Sequence, residues 1–288
     1  MAVLNKKVAC FFTGGWTELN AMKIFLGKIN NSIDFVQYCP TGEKKRKKPF
    51  KRELGSKYSG LTGKSLYEYI DSYISKYSDE LSSFDAVLIE DDLDDQLISF
   101  YDENNYIQKK EYIKQQYKMN VESIKENIRD KLNKDSSFPV IVMHAAPEVE
   151  AWFCADWKNT FGYIYGPEVE NKLSFEANKS FSMTFKKYVY DNVLVQYKNC
   201  LELYGSFGGK YRKLSDQIAT SLREEYKIQL DSDSEKIYLE IKNNQDLVYS
   251  KRIEGQYMLM NLEPKLLEKD CNLFYRDVFY EIKELGKK

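Results

Sequence analysis

Five acids fill six consecutive positions, Glu90, Asp91, Asp92, Asp94 and Asp95, immediately after the apolar run Ala86-Val87-Leu88-Ile89. Such a run reads as a buried strand, and carboxylates at its carboxyl end would emerge together at the edge of a sheet. Packed that closely, they repel one another and raise one another's pKa values unless a cation neutralises them. A hard divalent cation such as Mg2+ or Mn2+ takes oxygen ligands and is the natural partner for the group. The competing reading is an acidic turn in water. Two further acids bear on the choice. Glu18 follows the apolar run Lys7–Thr13 across the break Gly14-Gly15, and Glu150 follows the run Phe138–His144 across Ala145-Ala146-Pro147. Acids brought by three separate strands to one edge are harder to assign to accident than any one alone. In the plainer reading, Glu148 and Glu150 are first-turn acids favoured by the helix dipole.

Opposite charge is concentrated elsewhere. Lys44, Lys45, Arg46, Lys47, Lys48, Lys51 and Arg52 place seven basic residues within nine positions of the loop-like stretch 40–64. Phosphates would feel that field, so a DNA or RNA backbone is the expected contact, with a solvated loop as the alternative. Lys213 follows the glycine-rich break 205–209 in Tyr211-Arg212-Lys213. A lysine beside a metal-carboxylate site can stabilise charge on a phosphoryl group, although a basic residue facing water accounts for it equally well. Gly63-Lys64-Ser65 lacks both the upstream glycine and the preceding strand of a P-loop.

The composition removes several chemistries. His144 is the one histidine of the 288 residues, so His-rich metal sites and the HExxH pattern are excluded. The five cysteines, Cys10, Cys39, Cys154, Cys200 and Cys271, are scattered and never form C-x-x-C, which indicates neither a disulfide frame nor a zinc knuckle. A formal charge of -1 neither demands nor forbids a nucleic-acid partner. No stretch approaches the roughly 20 apolar residues of a membrane span, and the first residues lack a signal-type apolar region, so a cytoplasmic protein is expected.

The elements that must position these residues follow from periodicity. Strands are predicted at Lys7–Thr13, Ile33–Cys39, Phe84–Glu90 and Phe138–His144. Helices are predicted from a Thr17 cap through Ile29, with Glu18 in the first turn, and at Ser65–Ser82, Gln108–Lys134 and Phe274–Leu285. The expected architecture is α/β: a mostly parallel sheet of about four strands flanked by helices in residues 1–160, with residues 161–288 mainly helical. The alternating pieces between Ile228 and Ile253 have no assigned place. One ambiguity remains inside the acidic run, because moving the strand end by one residue exchanges the inward and outward sets.

The order of these motifs resembles the Toprim (topoisomerase–primase) fold, and more narrowly a Toprim-like group of bacterial proteins found in anti-phage defence loci and related to the nuclease domains of the OLD family. Gly14-Gly15-Trp16-Thr17-Glu18 is similar to that family's Glu-Gly-x-Thr-Glu, and Asp92-Leu93-Asp94 to its Asp-x-Asp, with Glu90-Asp91-Asp92 as a competing register. Pro147-Glu148-Val149-Glu150-Ala151-Trp152, with Asp156 after it, is the fullest match; Tyr211-Arg212-Lys213 and the segment from Cys271 to Arg276 resemble later elements. The resemblance implies a Mg2+- or Mn2+-dependent nuclease. Glu18, Glu90, Asp92, Asp94 and Glu150 would be the metal-side acids, Lys213 would face the scissile phosphate, and Lys44 to Arg52 would grip the flanking backbone. One departure matters: Gly14 stands where the family carries its first glutamate. It keeps two rivals open, a catalytically reduced sensor or effector subunit beside an ATPase partner, and an enzyme of small nucleotides or phosphates. DNA or RNA, an ATPase and a second copy of the chain are the expected partners; a membrane is not.

Overall fold

Four apolar runs become neighbouring strands because each is covered on both faces. They are β1 (Lys6–Phe12), β2 (Ile33–Cys39), β3 (Ala86–Asp92) and β4 (Val140–Ala145), all parallel, in the order β2-β1-β3-β4. The computed structural model describes residues 6–13, 17–39, 61–94, 106–164, 199–203 and 254–286. Near-continuous burial is what helices on both sides of a parallel sheet require, and β3 is buried at every position. From β1 the chain goes first to one side, to β2, and later to the other, to β3. That reversal puts the topological switch point, where the ligand crevice of such sheets usually lies, at the carboxyl ends of β1 and β3.

One layer consists of α1 (Ala21–Ile29), α4 (Val149–Ala155), α6 (Gln256–Asn261), α7 (Pro264–Asp270) and α8 (Tyr275–Glu284). It packs on Val8, Cys10, Phe12, Leu88 and Met143. The opposite layer is α2 (Lys64–Ser82) and α3 (Tyr106–Lys131), packed on Ala9, Phe11, Val87 and Ile89. A short α5 (Phe161–Ile164) follows α4. The C-terminal helices therefore share one core with the sheet. Trp152 of α4 stacks on Phe25 of α1 at 5.4 Å and meets Tyr275 of α8 edge-on at 5.3 Å, locking three helices together. Asn30 Nδ2 donates to Ile282 O and Leu285 O, both at 3.0 Å, so the end of α1 caps the carboxyl end of α8.

Most predicted boundaries move by one to three residues, and two of the differences bear on the acids. The central strand β3 runs to Asp92 rather than Glu90, because Glu90, Asp91 and Asp92 keep pairing with Met143, His144 and Ala145 of β4. The first three acids thus belong to the strand itself. Helix α1 begins at Ala21, so Glu18 is not in its first turn; residues 17–20 form a turn in which Glu18 O accepts the Met22 N–H at 3.1 Å. No helix among the described residues is long and apolar enough to cross a membrane.

Candidate functional site

Strand alternation divides the acidic run. Leu88 packs in the α1/α4 layer and Val87 and Ile89 in the α2 layer, so Glu90 and Asp92 belong to the first face and Asp91 to the second. Asp91 covers the start of α2: the Gly63 N–H donates to both of its oxygens at 3.0 Å. Burial pushes its carboxyl up to about 6, against the Gly63 N–H and the neighbouring hydroxyls of Thr13 and Thr62. Asp94, at φ 44, keeps to this side as well. Its N–H donates to Pro147 O at 2.9 Å, and it accepts from Thr62 Oγ1 at 3.4 Å.

The other face gathers Glu18, Glu90 and Asp92, which are 3%, 0% and 9% exposed. The Thr13 N–H donates to Glu90 O at 2.8 Å and to Glu90 Oε2 at 3.2 Å. Oε1 of the same carboxylate is buried and accepts no hydrogen bond among the described residues. Burial holds Glu90 well above the ordinary carboxylate range, and the charges of Glu18, Asp92 and Asp91 push it further, opposed by the Thr13 N–H. Cys39, at the carboxyl end of β2, senses the same patch: burial, then Glu18 and Glu90, push its thiol up to about 12. Strand β3 and the turn after β1 thus bring mutually repelling carboxylates together. The turn carrying Glu18 is held from far along the chain. Gln256 Nε2 donates to Leu19 O, and a Cβ built on Gly255 would lie 2.6 Å from Thr17 Oγ1, an approach that only glycine permits.

Glu150 lies in the first turn of α4, in the layer that covers the Glu90 face, and is fully buried. Its charge adds to burial in raising the thiol of Cys154 one turn on. Glu148 is the residue before the helix, extended at φ -143 and equally buried. Asp156 is structural, because it accepts from Asn159 Nδ2 at 3.0 Å and from the Glu263 N–H at 2.8 Å, which starts α7. Gly14, Asp95, the basic run from Lys44 to Arg52, and Lys213 lie outside the described residues.

Whether these acids suit a divalent cation rests on their chemistry. The donors are oxygens alone, buried and crowded, with one orphaned lone pair on Glu90, which is what Mg2+ or Mn2+ takes. As they stand among the described residues, no three His, Cys, Asp or Glu side chains converge as a set that could hold a metal. A bound ion would therefore have to draw the carboxylates inward.

Sequence reasoning missed the groups that orient the acids. Thr13 and Gly63 act through backbone N–H donors, and the only signal for them was their place at element ends. It also missed a buried chain under the acidic edge: Tyr67 OH lies 3.4 Å from His144 Nε2, and Tyr117 OH lies 3.0 Å from Nδ1. Burial lowers the His144 pKa to about 4. A base depressed in the folded state contributes stability that is complete above the unfolded value of about 6.5 and is lost as pH falls through the folded one. Relative to His144→Phe, the wild type should lose about 3 kcal/mol between pH 6.5 and 4. Urea midpoints measured along that pH series check the slope.

Compared with protein-family models, with curated proteins and with solved structures, the chain gives no match.

Proposed function

We propose that the chain is a Toprim-like, Mg2+- or Mn2+-dependent phosphodiesterase that cleaves DNA or RNA, in the setting of anti-phage defence that its motifs suggest. The observation that carries this reading is the buried set Glu18, Glu90 and Asp92 at the crevice between β1 and β3. Glu18, Glu90 and Asp92 would hold the cation, with Glu150 in the adjoining layer. When bound, the ion would activate water and offset charge on the leaving oxygen. The protein's own part is orientation. The Thr13 N–H fixes Oε2 of Glu90 and leaves Oε1 for the crevice, while Gly63 holds Asp91 on the opposite face. Lys213 would face the scissile phosphate, and Lys44 to Arg52 would track the backbone on either side.

Asp92→Ala should abolish Mn2+-dependent cleavage of labelled single- and double-stranded DNA and RNA while leaving the circular-dichroism spectrum unchanged. Cleavage at the wild-type rate would remove the assignment. Gly14, in place of the family's first glutamate, favours a second reading, a sensor or effector subunit beside an ATPase. That reading expects copurification with such a partner and no cleavage with either metal.

A further inference from the structure

The single histidine stands between two tyrosines from opposite ends of one helical layer. Tyr117 Oη of α3 lies 3.0 Å from His144 Nδ1, and Tyr67 Oη of α2 lies 3.4 Å from Nε2. Burial keeps the imidazole neutral at ordinary pH, so one ring nitrogen donates and the other accepts. The chain must therefore run in one sense. Either Tyr117 donates to Nδ1 and the Nε2–H donates to Tyr67, or Tyr67 donates to Nε2 and the Nδ1–H donates to Tyr117. The imidazole carries one proton in both cases, on a different nitrogen.

A carboxylate lies near each end. His144 pairs with Asp91 on the adjacent strand, about 4.8 Å away and on the same face of the sheet. The Gly63 N–H donates to Asp91, and the Tyr67 N–H donates to Gly63 O at 3.2 Å, so Tyr67 stands one helical turn beyond that contact. Burial, then the charges of Asp91 and Glu90, raise the Tyr67 hydroxyl above its ordinary value. At the other end the Tyr117 ring lies 4.3 Å from that of Phe274, whose N–H donates to Glu202 at 3.0 Å. Burial, then the charge of Glu202, raises the Tyr117 hydroxyl in the same way. Glu202 is already met by three N–H groups, whereas Glu90, Asp91 and Asp92 crowd the other end at consecutive positions. The stronger pull comes from the acidic edge, and it draws the protons of the chain toward Tyr67.

We propose that Tyr67, His144 and Tyr117 form a hydrogen-bond relay whose sense is set by the charge of the acidic edge, so that a cation in the crevice is registered at Glu202 and the start of α8. Without a cation the proton sits on Nε2 and the chain points at the acids. A cation would cancel that pull, Glu202 would prevail, and the proton would sit on Nδ1. A two-state element that both ends bias is the physical requirement for coupling two sites. The response to a cation rests on the metal reading of the crevice; the response to the charge of the acids themselves does not.

Because His144 is the one histidine, a long-range 1H–15N spectrum of the labelled full chain shows its two nitrogens without ambiguity. The protonated and bare nitrogens of a neutral imidazole resonate far apart, so their shifts give the ratio of the two tautomers. In EDTA at pH 8 the wild type should hold mainly the Nε2–H form. A neighbouring charge moves a proton equilibrium by about one to three powers of ten. Asp91→Asn keeps an oxygen for the Gly63 N–H and should move the ratio toward Nδ1–H by about tenfold, still without metal. Saturating Mg2+ should do the same to the wild type and not to Glu90→Gln. Glu202→Gln lacks the opposing charge and should stay in the Nε2–H form with Mg2+ present.

A metal-free wild type with its proton on Nδ1 overturns the relay, as does a ratio that Asp91→Asn leaves in place. If Mg2+ raises the melting temperature of the wild type while the His144 nitrogens stay where they were, the crevice holds its cation and the relay alone fails. If Mg2+ changes neither, the cation reading falls and takes the coupling with it.

Discussion

Replacing Glu202 by alanine is expected to lower the folding free energy by about 3–6 kcal/mol, on the scale of the roughly 5–15 kcal/mol that holds a typical domain together. Glu202 sits between Leu201 and Leu203 in a single 3-10 turn and is fully buried. Its carboxylate accepts the N–H groups of Leu273, Phe274 and Tyr275, the last two at 3.0 and 2.7 Å. These donors lie at the amino end of α8, where a helix has no internal acceptors to offer. Alanine would leave three buried donors without acceptors, each costing about 1–3 kcal/mol before local rearrangement recovers part of it. The damage would also spread, because α8 begins with Tyr275, which packs on Trp152.

The pH dependence of this carboxyl has a definite sign. Burial pushes it up to about 7, with the three N–H bonds opposing. An acid raised in the folded state contributes stability that is fully present below the unfolded value, about 4.5, and is lost as pH rises through 7. Glu202→Gln should therefore cost less than Glu202→Ala and should remove a slope of about 3 kcal/mol between pH 4.5 and 7. Urea unfolding followed by circular dichroism at several pH values reads both effects. A loss below about 1 kcal/mol in Glu202→Ala would show that other acceptors reach the α8 donors.

The strands were legible because a two-sided parallel sheet demands uninterrupted apolar runs, and β2 matches its predicted limits, Ile33 and Cys39, at both ends. α2 was legible for a related reason: Leu66, Ile70 and Ile74 repeat at the spacing of one buried stripe. The side each acid takes was not legible. It depends on where β3 ends, and β4 sets that end by pairing through Asp92. The place of Glu18 was misread because Thr17 has the chemistry of a helix cap. What decides the turn is a contact with Gln256, 237 residues away in sequence. Glu202 carried no signal, since its partners lie 71–73 residues further on and a lone acid between two leucines resembles many surface positions. Local chemistry thus announced which elements form, and long-range hydrogen bonds determined how the acids are held.

Glu90→Gln should raise the melting temperature of the metal-free protein at pH 8 and abolish most of its response to Mg2+ or Mn2+. The substitution keeps an oxygen for the Thr13 N–H and removes a charge that is fully buried beside Glu18, Asp92 and Asp91. The sign follows from the direction of the shift. A carboxyl held well above its ordinary value supports the fold below the unfolded pKa of about 4.5 and weakens it as pH rises. The gain from glutamine should therefore shrink toward zero as pH falls to about 4.5. A cation at the crevice would reverse the balance, because it would bind the folded protein and need the charge. At 100 times its dissociation constant it would add about 2.7 kcal/mol to the wild type, or about 4–5 °C in melting temperature for a chain of this length. Glu90→Gln should show a small fraction of that. Thermal melts in EDTA and in Mn2+, at pH 5 and pH 8, separate the alternatives without any substrate. If glutamine destabilises equally at both pH values and Mn2+ shifts neither protein, Glu90 is a structural acceptor for Thr13, and the crevice between β1 and β3 holds no cation.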